Sequence, residues 1–293
     1  MRAAFYCSVS RFRSGFLTLA LVAGPLVCGT SAQAAAGVPF LAHQALYDLS
    51  LVKSRGTSMD SARGRILYKF SGNACEGYTS DFRQVSEMAS GEGETTLSDL
   101  QSTSWEDADG KSYRFKIATR MNDSDQSQVD GIAERSGDKI IVKLKKPVAK
   151  TFTLDGDTVF PTEQIKRIIA AAKQGKSLLE LTVYDGSDNG QKVYNTLSVI
   201  GKPIAGDIPG SSPDPSTTND QMKKLTRWPV TVSYFDRDTK ANSGEQTPVY
   251  AMSFELFEDG VSRALVLDYN DFVISGTMGK FDIKDVKSTK PCK

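Results

Sequence analysis

A single histidine, His43, serves a chain of 293 residues. Any Ser-His-Asp triad therefore has one candidate base, and no G-x-S-x-G elbow presents a serine to it. His43 is read as a structural or exposed strand residue. Tryptophan is almost as scarce. Trp105 and Trp228 are the only two, both in strand-like contexts, and no aromatic-rich sugar platform stands out. An excess of one charge is missing as well, with 36 Lys and Arg against 35 Asp and Glu. That balance argues against nucleic acid as a partner, since phosphate binding needs a concentrated basic surface. No P-loop or G-x-G-x-x-G occurs. S-x-x-K appears at Ser50-Leu51-Val52-Lys53 and Ser136-Gly137-Asp138-Lys139, but its S-D-N and K-T-G companions do not, which excludes a penicillin-recognising site.

Long apolar runs are missing too. The one near the start, Phe16 to Cys28, is too short to span a bilayer. Arg2, Arg11 and Arg13 precede it, and Ala32-Gln33-Ala34 follows as an A-x-A site. This pattern predicts a secretory signal peptide over residues 1–34, cleaved after Ala34, with Ala36 as second choice. Val27 is too large for the position before a lipidated Cys28, so the product, residues 35–293, is expected to be soluble and without a transmembrane anchor. Loss of three arginines leaves 33 basic against 35 acidic residues, a net charge near −2.

Cys7 and Cys28 leave with the signal, so Cys75 and Cys292 remain of four cysteines. In an oxidising compartment two cysteines imply one disulfide, with two buried free thiols as the alternative. A bound metal is a poor third reading, because two thiolates do not complete a tetrahedral site. A bond closing this loop is worth about 5 kcal/mol in the chain-entropy model.

What is present is alternation. In Arg65 to Phe70, Ile66, Tyr68 and Phe70 share one face. In Lys139 to Lys145, Ile140, Val142 and Leu144 do so. Further strands are expected at His43–Leu51, Tyr78–Met88, Thr95–Trp105, Tyr113–Arg120, Leu178–Tyr184 and Lys192–Ile200. After these come Trp228–Phe235, Val249–Phe257, Arg263–Tyr269, Phe272–Thr277 and Lys280–Ile283. Asp-Gly pairs at Asp109, Asp130, Asp155, Asp185 and Asp259 read as hairpin turns and favour an antiparallel meander. One amphipathic helix is expected over about 162–174, with Ile165, Ile168, Ile169 and Ala172 as its apolar stripe, covering a strongly curved sheet. Residues 203–224, rich in Pro, Gly and Ser, read as a mobile surface loop within a single β domain. Lys143, Lys145, Lys146 and Lys150 read as a solvated strand face protecting a sheet edge, with a basic stripe as the alternative. Asp123, Asp125, Ser127 and Glu134 have part of a calcium-loop spacing, but Gln128 stands where the turn needs Gly. Asp236 and Asp238 with Arg237 read as an exposed loop.

The chain from about residue 43 to its end resembles the EipB family of alphaproteobacterial envelope-integrity proteins. The resemblance rests on His43-Gln44-Ala45-Leu46-Tyr47-Asp48-Leu49, Gly64-Arg65-Ile66-Leu67-Tyr68, Cys75-Glu76-Gly77-Tyr78, Ser104-Trp105-Glu106, Phe160-Pro161-Thr162 and Cys292. It implies a periplasmic protein with a spiral-like β-sheet and a disulfide between the positions of Cys75 and Cys292. It brings no catalytic residue, cofactor or metal. The expected role is envelope integrity and resistance to envelope stress, through an unknown periplasmic protein or envelope component. Two other readings stand beside it: a carrier of lipid or another apolar ligand in the curved sheet, and a hydrolase of an envelope polymer.

Overall fold

The computed structural model describes residues 40–56, 59–90, 95–208, 212–238 and 246–285. The expected signal peptide, residues 1–34, and Cys292 lie outside the described residues. The fold is two antiparallel meanders joined into one sheet. The first comprises β1 (His43–Ser54), β2 (Ser61–Asn73), β3 (Gly77–Ala89), β4 (Thr95–Glu106), β5 (Ser112–Met121), β6 (Ser124–Ser136), β7 (Lys139–Lys146) and β8 (Lys150–Asp155). Helix α1 (Pro161–Lys173) follows. The second meander is β9 (Leu178–Val183), β10 (Tyr194–Ile200), β11 (Arg227–Asp236), β12 (Tyr250–Phe257), β13 (Ser262–Asp268) and β14 (Phe272–Ile283). Pairing of β1 with β14 fuses them into a 14-stranded sheet with β8 and β9 at its edges.

The sheet curls without closing. Beyond β8, Val159 forms a parallel bridge with Val183 at the end of β9. The Tyr113 hydroxyl on β5 donates to the Asp185 carbonyl at 3.0 Å, and Arg237 pairs with Asp155 at 2.8 Å. Strands far apart in the sheet order thus meet across its inner face.

Helix α1 fills part of that inner face. Pro161 suits the first turn, where its missing N–H costs nothing. The residue before the helix, Phe160, has no side chain able to cap. The cap comes from β4 instead: the Glu106 carboxylate accepts from the Thr162 N–H at 2.7 Å and the Glu163 N–H at 2.9 Å. Gly175, at φ +72°, ends the helix. Ile168, Ile169 and Ala172 pack on Tyr194, Trp228, Val230 and Leu256. The observed bounds sit one residue earlier than the sequence pattern placed them.

Glu106 is fully buried, and desolvation pushes its carboxyl from the ordinary 4.5 up to about 7 against the pull of the helix N–H groups and Lys166. The folded state therefore holds this proton more tightly than the unfolded chain does. The stabilisation from Glu106 is fully present below pH 4.5 and is lost as pH rises through 7. The loss amounts to about 3 kcal/mol. Urea unfolding at pH 5 and pH 7 should show this slope in the native chain and a flatter one in Glu106→Gln.

Four expectations about strands and turns change. Asp130-Gly131 is no turn: it lies inside β6, and a Cβ on Gly131 would stand 2.7 Å from Phe115 and 2.8 Å from Leu144. The β5–β6 turn is made by Asn122 and Asp123, both at positive φ. Asp155-Gly156 leads from β8 toward α1 rather than into a hairpin. Phe272 to Ile283 is one strand, not two. The lysine-bearing β7 is not an edge strand, because β8 pairs with it.

The segment 203–224, expected as a mobile loop, is built into the fold where it is described. It holds α2 (Pro215–Thr218) and a 3-10 turn, Met222–Lys224. Met222 and Ser216 are buried. Asp214 caps α2 through the Ser216 N–H and pairs with Arg263 at 2.7 Å. Arg263 and Arg227 both pair with Glu255 and donate to the carbonyls of Ser212 and Ile208. The physical reason is that two buried arginines from the sheet require carboxylate and carbonyl partners, and this segment supplies them.

Candidate binding surface

Cys75 sits in the tight turn between β2 and β3 and is disulfide-bonded. The Asn73 side-chain oxygen accepts from the Cys75 and Glu76 N–H groups at 2.8 and 3.0 Å. Gly77, at φ +87°, lets the turn lie against β4, where a Cβ would stand 2.5 Å from the Glu106 carbonyl and 3.0 Å from the Trp105 ring. Trp105 in turn donates its indole N–H to the Glu76 carbonyl at 3.3 Å. The cysteine turn is thus seated on Trp105.

From Trp105 a row runs across the sheet. Register aligns Thr79, Trp105, Arg114 and Ile132, and the next row aligns Thr103, Lys116 and Asp130. Phe115, between Arg114 and Lys116, points to the opposite face and into the core. The Arg114 guanidinium lies over the Trp105 ring, 5.2 Å from its centroid. A register shift between Asp130 and Gly131 leaves Lys145 as the extra residue of a bulge on β7, the device that re-aims a side chain out of the ladder. Together these residues line an open groove of about 480 Å³.

The sheet's other face is sealed by different chemistry. Tyr234 stacks on Tyr250 at 4.4 Å and meets Tyr194 edge-on at 5.9 Å. Burial pushes the Asp185 carboxyl up beside these rings, with the Ser187 N–H donating to it at 2.9 Å. A smaller cavity of about 110 Å³ lies between Phe40, Tyr68, Phe70 and Ile165, with Ser80 and Ser104 among its polar lining.

The residues weighed for chemistry are dispersed. His43 is buried among Tyr68, Phe70 and Phe281, with Nδ1 at 2.8 Å from the Leu41 carbonyl. Burial lowers its pKa. Asp123 and Asp125 sit at the β5–β6 turn, while Glu134 lies at the far end of β6, paired with Lys143. Asp236 pairs with Lys192. Among the described residues no cluster of three His, Cys, Asp or Glu side chains is placed to hold a metal. No helix among them is long and apolar enough to cross a membrane. Sequence reasoning missed Glu106 as the cap of α1 and Arg114 as the partner of Trp105. The second was readable only with the register in hand.

Three comparisons bear on identity. The family model described as EipB-like matches residues 34–285. The cell envelope integrity protein EipB of Brucella abortus (strain 2308) is 36% identical over 261 residues, covering 89% of this chain and 90% of that protein. A crystal structure from Brucella abortus, described as a beta-barrel-like protein of a domain of unknown function, superposes with a TM-score of 0.76 at 34% identity. It covers 85% of this chain and all of its own.

Proposed function

The chain belongs to the EipB-like family, and from that membership we infer a non-enzymatic periplasmic protein that supports envelope integrity by binding an envelope component or partner protein. A role in envelope integrity follows from the Brucella abortus relative, a cell envelope integrity protein. The finer reading rests on one observation: the groove at Trp105. Its volume of about 480 Å³, like those of the grooves of about 670 Å³ at Arg167 and Asn195 and about 450 Å³ at Arg63 and Arg65, falls within the roughly 300–1,000 Å³ typical of ligand sites, and the exposed Arg114, Lys116 and Lys145 beside Trp105 single it out. The aromatic cavity inside the sheet, at about 110 Å³, falls below that range, which ranks the carrier of an apolar ligand second. The hydrolase reading loses ground because His43 is packed among aromatic rings.

The disulfide is proposed to join Cys75 to Cys292. It would fix the chain's end beside the turn that rests on Trp105.

The test is complementation. A host strain lacking the gene should plate poorly on a membrane-disrupting detergent. The full chain should restore growth, and a chain without residues 2–34 should not.

A further inference from the structure

We propose that the groove at Trp105 and the adjoining β7–β8 turn form a docking site for an acidic phospholipid surface. This deepens the binding role proposed above and rests on it, by naming the envelope component.

The first observation is a set of uncommitted cations. Lys116 and Lys145 are exposed, and neither has a hydrogen-bond or ion-pair partner among the described residues. Arg114 touches only the Trp105 ring, which holds its planar fork in place while leaving its donors free. Most other basic groups of this region are engaged: Lys143 with Glu134, Lys146 with Gln128, Lys150 with Gln191, and Arg83 with Asp99. Asp130 is the one acid lining the groove, so three cations face one carboxylate.

The second observation is an exposed apolar tip beside them. The β7–β8 turn with its flanking strand ends reads Lys145-Lys146-Pro147-Val148-Ala149-Lys150. Val148 is 72% exposed, the most exposed large hydrophobic among the described residues. A bare valine at a turn flanked by lysines has the chemistry of a shallow membrane contact. The apolar tip enters the headgroup layer, and the cations meet the phosphates. A groove of this size with free Arg and Lys donors accommodates one phosphate-bearing headgroup. The same lysines on a merely solvated strand would need no apolar tip and no cation stacked on an indole.

The test is sedimentation of the mature, disulfide-bonded chain with vesicles at low and high salt. Vesicles of phosphatidylglycerol mixed with phosphatidylcholine should bind it, and salt should release it. Pure phosphatidylcholine should not bind. The combined change Arg114→Ala, Lys116→Ala and Lys145→Ala should weaken binding by about tenfold or more, and Val148→Asp should weaken it separately. Because all four side chains are exposed, the melting temperatures should stay as in the native chain. Lys202→Ala, an exposed lysine on a different segment, should bind as the native chain does. Three results would overturn the proposal: no binding to acidic vesicles at low salt, equal binding by the triple variant, or an equal loss in Lys202→Ala. Competition by glycerol 3-phosphate at matched phosphate concentration would also overturn it, in favour of a small soluble phosphate ligand. Failure here leaves the detergent-plating result free to succeed, so the two readings fail separately.

Discussion

Arg263→Met should destabilise the protein by about 3–5 kcal/mol, the cost of stranding buried charges. Arg263 is 2% exposed and neutralises two carboxylates, Asp214 and Glu255. Methionine fills much the same space but leaves Asp214 with no cation and Glu255 with Arg227 alone. It also removes the donor to the Ser212 carbonyl. Urea unfolding followed by Trp105 and Trp228 fluorescence measures the loss. Proteolysis should report the same event locally, since this network ties Ile208, Ser212 and Asp214 to β11–β13. The triple change Arg263→Met, Asp214→Leu, Glu255→Leu should not recover the stability, because it strands the buried Arg227, whose carboxylate partner is Glu255, and removes the Asp214 cap of α2. A single variant as stable as the native chain would mean that the charges find water.

Cys75→Ser should cost about 5 kcal/mol by the loop-entropy model, reduced by whatever structure the unfolded chain keeps. Cys75 is disulfide-bonded. Pairing with Cys292 would enclose most of the sheet in one covalent loop. A loss of that size is comparable with the whole stability of an ordinary domain. Thermal unfolding under oxidising and reducing conditions should separate by many degrees in the native chain and coincide in Cys75→Ser. Peptide mapping without reduction should recover a Cys75–Cys292 crosslink. Coincident unfolding in the native chain would contradict the proposed clamp.

Much of this fold was legible in the residues, for a simple reason. Where one face of a strand is buried, period-two alternation must appear, and it does at Ile140, Val142 and Leu144. Helix α1 announced itself through Pro161 and its isoleucine stripe. Strand β6 gave a weak signal because its first half, residues 124–127, is exposed and polar, so no burial shaped the sequence there. Asp130-Gly131 misled because the turn rule is local, while that glycine answers to Phe115 and Leu144 from other strands. Residues 203–224 have the composition of a loop, yet the described parts, 203–208 and 212–224, are held by Arg227 and Arg263, partners invisible without the fold. The groove was hidden for the same reason. Trp105, Arg114 and Lys116 were each visible, but only the β4–β5 register places them together. The disulfide was approached differently, by counting cysteines after export and then by family resemblance.

The proposed role is support of the envelope from the periplasmic side. Detergent plating of the deletion strain, carrying either the full chain or the chain lacking residues 2–34 at equal expression, tests it most directly. The full chain should restore growth to the parental level, and the leaderless chain should restore none. Equal rescue by both, or no sensitivity in the deletion strain, would contradict it.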